Sequence, residues 1–127
     1  MFNKRILVRK TGMKGKAQEV RDWLLESGHF TVGAGWAGLV ADMLLEILEY
    51  LESDGVNMQS VKVRDFEVKE KRGRLVCHSP RFDGFDDIVE RYELKSLRIC
   101  EVCGGAGKLA GDGEWWLSTR CGEHRIF

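Results

Sequence analysis

Proline occurs once in the 127 residues, and no stretch is built from only one or two residue types. With 43% of its residues hydrophobic, the chain has enough apolar surface to fold rather than stay disordered. No apolar run approaches the ~18 residues a membrane-spanning helix needs. The start, Met1-Phe2-Asn3-Lys4-Arg5-Ile6-Leu7-Val8-Arg9-Lys10, has three consecutive apolar residues before its next charge, which is no secretory h-region. The formal net charge is +0, so no global field draws in a polyanion. Only four cysteines occur, and three belong to one motif. The fourth, Cys77, has no evident disulfide partner, and this usage suits a reducing cytoplasm better than a disulfide scaffold. Catalytic sets are missing as well. No H-x-E accompanies a P-C-x-x-C, and no Ser-His-Asp or Cys-His pairing is discernible.

Charge, though balanced, is uneven. Lys4, Arg5, Arg9, Lys10, Lys14 and Lys16 form an arm with no acid, and Asp42, Glu46, Glu49, Glu52 and Asp54 form a stretch with no base. Two readings stay open: the arm lies near the acidic helix, or the polarity steers a charged partner.

In chain order, Ile6-Leu7-Val8 reads as a short strand. Lys16 to Ser27 reads as a helix with Val20, Trp23 and Leu24 on one face and Gly28 beyond its end. Gly33-Ala34-Gly35-Trp36-Ala37-Gly38 spells G-x-G-x-x-G. A dinucleotide fingerprint needs close backbone approach to a pyrophosphate and several βαβ units, and a bulky Trp36 and a short remaining chain oppose it. The simpler reading is a glycine turn that delivers Trp36 into the core. Trp36 to Ser53 is the clearest helix, with Leu39, Val40, Met43, Leu44, Ile47, Leu48 and Leu51 in helical rhythm before Asp54-Gly55. Val61 and Val63 alternate, and Phe66 and Val68 alternate in the opposite phase, which predicts a bulged strand. Lys71-Arg72-Gly73-Arg74 turns it, and Leu75 to His78 returns. Cys77 and His78 point to opposite faces, one inside and one outside. Asp83 to Ile99 is a further helix, capped by Asp83 or Asp86, with Phe85, Ile88, Val89 and Tyr92 inward.

This last helix runs straight into Cys100-Glu101-Val102-Cys103. After seventeen intervening residues comes Cys121-Gly122-Glu123-His124. Each pair spaces its members by two residues, which sets two ligands on one side of a metal. Together, Cys100, Cys103, Cys121 and His124 predict one tetrahedral structural Zn2+ per chain. Between the pairs, Lys108-Leu109-Ala110 and Glu114 to Thr119 read as a hairpin around Gly111-Asp112-Gly113. The order knuckle, hairpin, knuckle is that of a zinc ribbon, and four protein ligands leave no position for a catalytic water. Trp115 and Trp116 face opposite ways, so one can pack while the other meets a partner or solvent.

The Gly35-Trp36 helix start, Val68-Lys69-Glu70-Lys71-Arg72-Gly73-Arg74-Leu75, the Cys100 to Leu109 knuckle, Trp116, Thr119-Arg120-Cys121 and His124 together resemble a group of small bacterial and phage-encoded proteins. Those pair a "GW" helix and a "VKEKFG-L" hairpin with a terminal zinc ribbon. The resemblance covers about residues 33–125 and implies an α+β body and the same four zinc ligands; it implies no activity. Arg72 stands where that group usually has Phe, and the first thirty or so residues lie outside the resemblance.

The expectation is therefore an α+β fold: a short antiparallel hairpin on two or three helices, residues 1–99, with a zinc ribbon over 100–127 docked on it. The expected function is a non-enzymatic, cytoplasmic protein-interaction module, in a phage or host-interaction context. The alternative is nucleic-acid binding through the basic arm and hairpin; an enzyme with an unrecognised site is a further one. The candidate partner surface is Trp115, Trp116, Lys69, Lys71, Arg72 and Arg74. No membrane partner is expected, and the sequence leaves the oligomeric state open.

Overall fold

The computed structural model describes residues 14–26, 32–111 and 116–125. The expected strand at Ile6-Leu7-Val8, the C-terminal Gly28 and Trp115 lie outside these residues. Helices α1 (Lys14–Leu25), α2 (Ala37–Ser53) and α3 (Asp86–Ser96) combine with two two-stranded antiparallel sheets, an α+β arrangement. One sheet pairs β1 (Glu67–Lys71) with β2 (Arg74–His78), and the other pairs β3 (Lys108–Gly111) with β4 (Leu117–Arg120).

The core is built on α2. Its stripe Val40, Met43, Leu44, Ile47, Leu48 and Leu51 is buried throughout. Each such side chain contributes roughly 1.5–3 kcal/mol by leaving water. Trp36 ends a 3-10 turn, Ala34–Trp36, just ahead of the helix and is wholly buried. The helix stops where Gly55 takes a φ of 90°, and the Val56 N–H bonds back to the Leu51 carbonyl at 3.0 Å. Val20 and Trp23 of α1 pack into the same core.

Lys16 is not part of a free basic arm. It is buried, donating to the Val61 carbonyl at 2.5 Å and to Glu19 at 3.1 Å. The acidic face of α2 is likewise answered from inside the fold: Glu46 accepts from Arg91 and, at 2.9 Å, from the Tyr92 hydroxyl, both on α3.

The bulged strand expected over Val61 to Phe66 is absent. Two 3-10 turns, Met58–Ser60 and Val63–Asp65, stand there instead. The buried residues explain it: Met58 to Val61 and Val63 to Phe66 are steps of three, and a 3-10 turn eclipses i and i+3. Asn57 and Asp65 fix the two turns by accepting from Gln59 N–H at 3.0 Å and Lys62 N–H at 2.7 Å.

Strands β1 and β2 pair from Glu67↔His78 to Lys71↔Arg74. Their two-residue loop has Arg72 at φ 55° and Gly73 at φ 83°, the signature of a primed hairpin turn. Val68, Leu75 and Cys77 face the core, and His78 faces solvent, as the alternation predicts. Burial pushes the Cys77 thiol up to about 12, which makes it an inert packing group. Helix α3 begins at Phe85 without a side-chain cap, so neither Asp83 nor Asp86 caps it; Asp86 and Asp87 sit in the first turn, where the helix dipole favours them. Ser96 joins α3 to β2, accepting from Leu75 N–H at 2.9 Å and donating to the Glu93 carbonyl at 2.6 Å.

Candidate metal centre

Helix α3 is followed by a tight turn into Cys100, whose N–H bonds to the Gly105 carbonyl at 2.8 Å. The Gly104 N–H returns to the Cys100 carbonyl at 2.9 Å, and Gly104 supplies the φ of 79° that lets the loop wrap its own sulfurs. Strand β3 leaves this knuckle, β4 returns antiparallel to it, and Cys121 to His124 forms the second knuckle, where His124 N–H bonds to the Cys121 carbonyl at 3.2 Å.

The four predicted ligands converge. Their donor atoms all lie within 4.8 Å of one another. Cys100 Sγ is 3.7 Å from His124 Nδ1, Cys121 Sγ is 3.1 Å from the same nitrogen, and Cys103 Sγ is 3.8 Å from Cys121 Sγ. Such a Cys3His cluster can hold a metal ion. It grades from inside to outside: Cys100 is buried, Cys121 and His124 are half-buried, and Cys103 is exposed.

Backbone N–H groups aim at the sulfurs. Burial pushes the Cys100 thiol up, but N–H donors from Cys103, Cys121 and Val102 outweigh it and bring the thiol to about 6. Cys121 is also raised by burial, then lowered overall by His124 and by the N–H groups of His124 and Glu123. At Cys103 the Gly105 N–H lowers the thiol, yet the neighbouring Cys100 and Cys121 sulfurs hold it above its ordinary value. His124 is raised by Cys121 first and Cys100 second. At Cys100 and Cys121, donors from the residues after each cysteine thus favour thiolate, the form that binds metal.

The first knuckle is seated on the start of α2. Gly35 N–H bonds to the Glu101 carbonyl at 2.9 Å, and the Trp36 indole Nε1–H bonds to the Ile99 carbonyl at 2.8 Å. A Cβ on Gly35 would fall 2.6 Å from Gly104 N and 2.7 Å from the Glu101 carbonyl carbon. A Cβ on Gly33 would run into the Glu101 carbonyl oxygen. These two glycines are spent on backbone-to-backbone contact with the cysteine loop. The G-x-G-x-x-G spelling here serves protein packing, with Trp36 in the core.

Three residues that sequence reasoning missed complete the seat. Glu101 is buried inside the first knuckle and pairs with Arg120 Nε at 3.0 Å; Arg120 also donates to the His124 carbonyl at 3.3 Å. Thr119 is fully buried and donates to the Gly73 carbonyl at 2.6 Å, which fastens β4 to the β1–β2 turn. Their position beside the cysteines was the available signal, since a charged or hydroxyl residue adjoining a ligand can orient its loop.

Of the expected partner surface, Trp116 is 52% exposed. Lys71 and Arg72 are exposed at the hairpin turn. Lys69 pairs with Glu67 at 3.6 Å, and Arg74 with Glu93 at 2.9 Å. Comparison of the chain with protein-family models, with curated proteins and with solved structures finds no match. Among the described residues, no helix is long and apolar enough to cross a membrane.

Proposed function

We propose that the chain is a cytoplasmic, non-enzymatic binding module whose Cys3His cluster takes a structural zinc ion and presents the β3–β4 hairpin to a protein partner. The observation that carries this reading is the convergence of four protein donors. With sulfur about 2.3 Å from zinc, a tetrahedral sulfur–sulfur edge is about 3.8 Å. The Cys103–Cys121 separation is 3.8 Å. Soft thiolates and an imidazole are the donor set zinc prefers, and four of them fill its shell without a water. Knuckle, hairpin, knuckle is the chain order of a zinc ribbon. The clamp's product is a held surface, and half-exposed Trp116 is the kind of aromatic anchor that protein interfaces use.

Elemental analysis of purified protein should give one zinc per chain. A partner identified by affinity capture should then bind the purified chain directly. That binding should fall on Trp116→Ser, which leaves zinc in place, and should vanish on zinc removal. A partner that binds the zinc-free and Trp116→Ser proteins at full strength would sink the reading. Nucleic-acid binding through the β1–β2 hairpin is the second reading, favoured by exposed Lys71 and Arg72 and opposed by the pairing of Lys69 and Arg74 with acids.

A further inference from the structure

Beside the Cys3His cluster, a groove of about 310 Å³ runs along the outer face of the β3–β4 hairpin; among the described residues the cationic groups lining it are Lys108, Arg120 and Arg125, with Cys121 at its cluster end. In the hairpin register Lys108 stands directly opposite Arg120. Like charges placed opposite each other across a strand pair repel and destabilise it. Glu101 relieves Arg120 alone; neither Lys108 nor Arg125 makes an ion pair with a described residue. The clamp's own charge, three thiolates against a dication, together with Glu101 does not cancel the three cations. The floor is small, with Ala110 and Ser118 paired across the strands. By strand alternation Trp116 falls on the same side as Ser118 and Arg120, so the groove leads toward the exposed indole.

We infer that this groove is an anion site that takes the carboxylates of an acidic peptide segment of the partner. The inference rests on the protein-interaction reading and names the chemistry of that partner. Carboxylates match guanidinium and ammonium donors by charge-assisted hydrogen bonds. A peptide suits the site better than a nucleic acid. A phosphate backbone needs a continuous basic track, and beyond the groove Lys69 and Arg74 of the separate β1–β2 hairpin are already paired with acids.

The test uses the zinc-loaded full chain and fluorescence anisotropy with three labelled probes: an Asp/Glu-rich peptide, a Gly/Ser peptide of the same length, and a single-stranded oligonucleotide of matched charge. The acidic peptide should bind in a salt-dependent way and the neutral peptide should not. The double variant Lys108→Ser/Arg125→Ser should weaken the acidic peptide at least ~10-fold, since two charge-assisted contacts go. Its zinc content and circular dichroism should be unchanged. Lys62→Ser/Arg64→Ser, which removes the same charge from exposed positions elsewhere, should leave the peptide affinity within about twofold, as loss of distant screened charge does. Equal weakening by both double variants would overturn the groove in favour of net charge. Tighter binding of the oligonucleotide, lost in the groove variant, would overturn it in favour of a phosphate ligand. If a purified partner protein binds Lys108→Ser/Arg125→Ser as tightly as the parent, the groove fails while the protein-interaction reading stands.

Discussion

The helical body and the segment after Cys100 are held together by different means. Around α2, the interior is apolar: Trp36, Met43, Leu44, Ile47, Leu48 and Leu75 are wholly buried. From residue 100 onward, the buried described residues are Cys100, Glu101, Ser118 and Thr119. Not one aliphatic or aromatic side chain is among them. The described residues of this segment bury too little apolar surface to be held by the hydrophobic effect alone. What joins them is a Cys3His cluster that can hold a metal ion and a polar seam made of the Glu101–Arg120 pair, the Thr119–Gly73 bond and the Gly35–Glu101 bond. One region is stable because of what it excludes from water, the other because of what it grips.

The strongest way to break this contrast is to remove the grip. Cys103→Ala, or a strong chelator, should release the metal and abolish hydrogen-exchange protection over β3 and β4, while α2 amides keep theirs, because metal binding supplies folding free energy to such a module. Retention of stoichiometric zinc in Cys103→Ala would refute the ligand assignment. The converse cut is Leu44→Ala, which should cost about 2–5 kcal/mol and lower the melting temperature of the whole molecule, as a buried cavity does. Gly35→Ala probes the join between the two regions. Its Cβ meets backbone that has no room to shift, so it should cost about 1–3 kcal/mol and weaken metal retention in a chelator competition. If Gly35→Ala lowers thermal stability and leaves metal affinity untouched, the seat does not couple the regions.

The smallest effect is electrostatic. Arg91 beside Glu46 holds that carboxyl below its ordinary 4.5, against burial, with Tyr92 helping. A lowered carboxylate stabilises the fold above its unfolded pKa and ceases to as pH falls through the folded one. Denaturant curves of the parent and Glu46→Gln should therefore differ at neutral pH, begin to converge as pH falls below about 4.5, and merge only once it has passed the lowered folded value. Parallel curves at every pH would mean that the pair contributes nothing.

What could be read in the chain follows the same division. The rhythm of α2 and α3, the β1–β2 turn and the convergence of Cys100, Cys103, Cys121 and His124 are legible, because each rests on a local pattern with a fixed period or spacing. Val61 to Phe66 was misjudged because two steps of three imitate a slipped alternation when only pairs are compared. The cap of α3 was overread, since an aspartate near a helix start is a permission and not a bond. Lys16 reads in the sequence as the end of a basic arm, and its buried bond to Val61 depends on a residue 45 positions away. Glu101, Arg120 and the true role of Gly33 and Gly35 were hidden for the same reason: their partners are far along the chain.

That distance bears on the order in which the molecule is made. The Trp36 indole N–H is answered by the carbonyl of Ile99, 63 positions later. Closing so long a loop costs entropy that early contacts must already have offset. Helix α2 can therefore form from local contacts, but the indole just ahead of it exchanges water for its buried partner only when Ile99 is in place. The carbonyl that answers it belongs to the residue just before Cys100, so the start of the core helix and the entry to the cysteine loop are closed by the same bond.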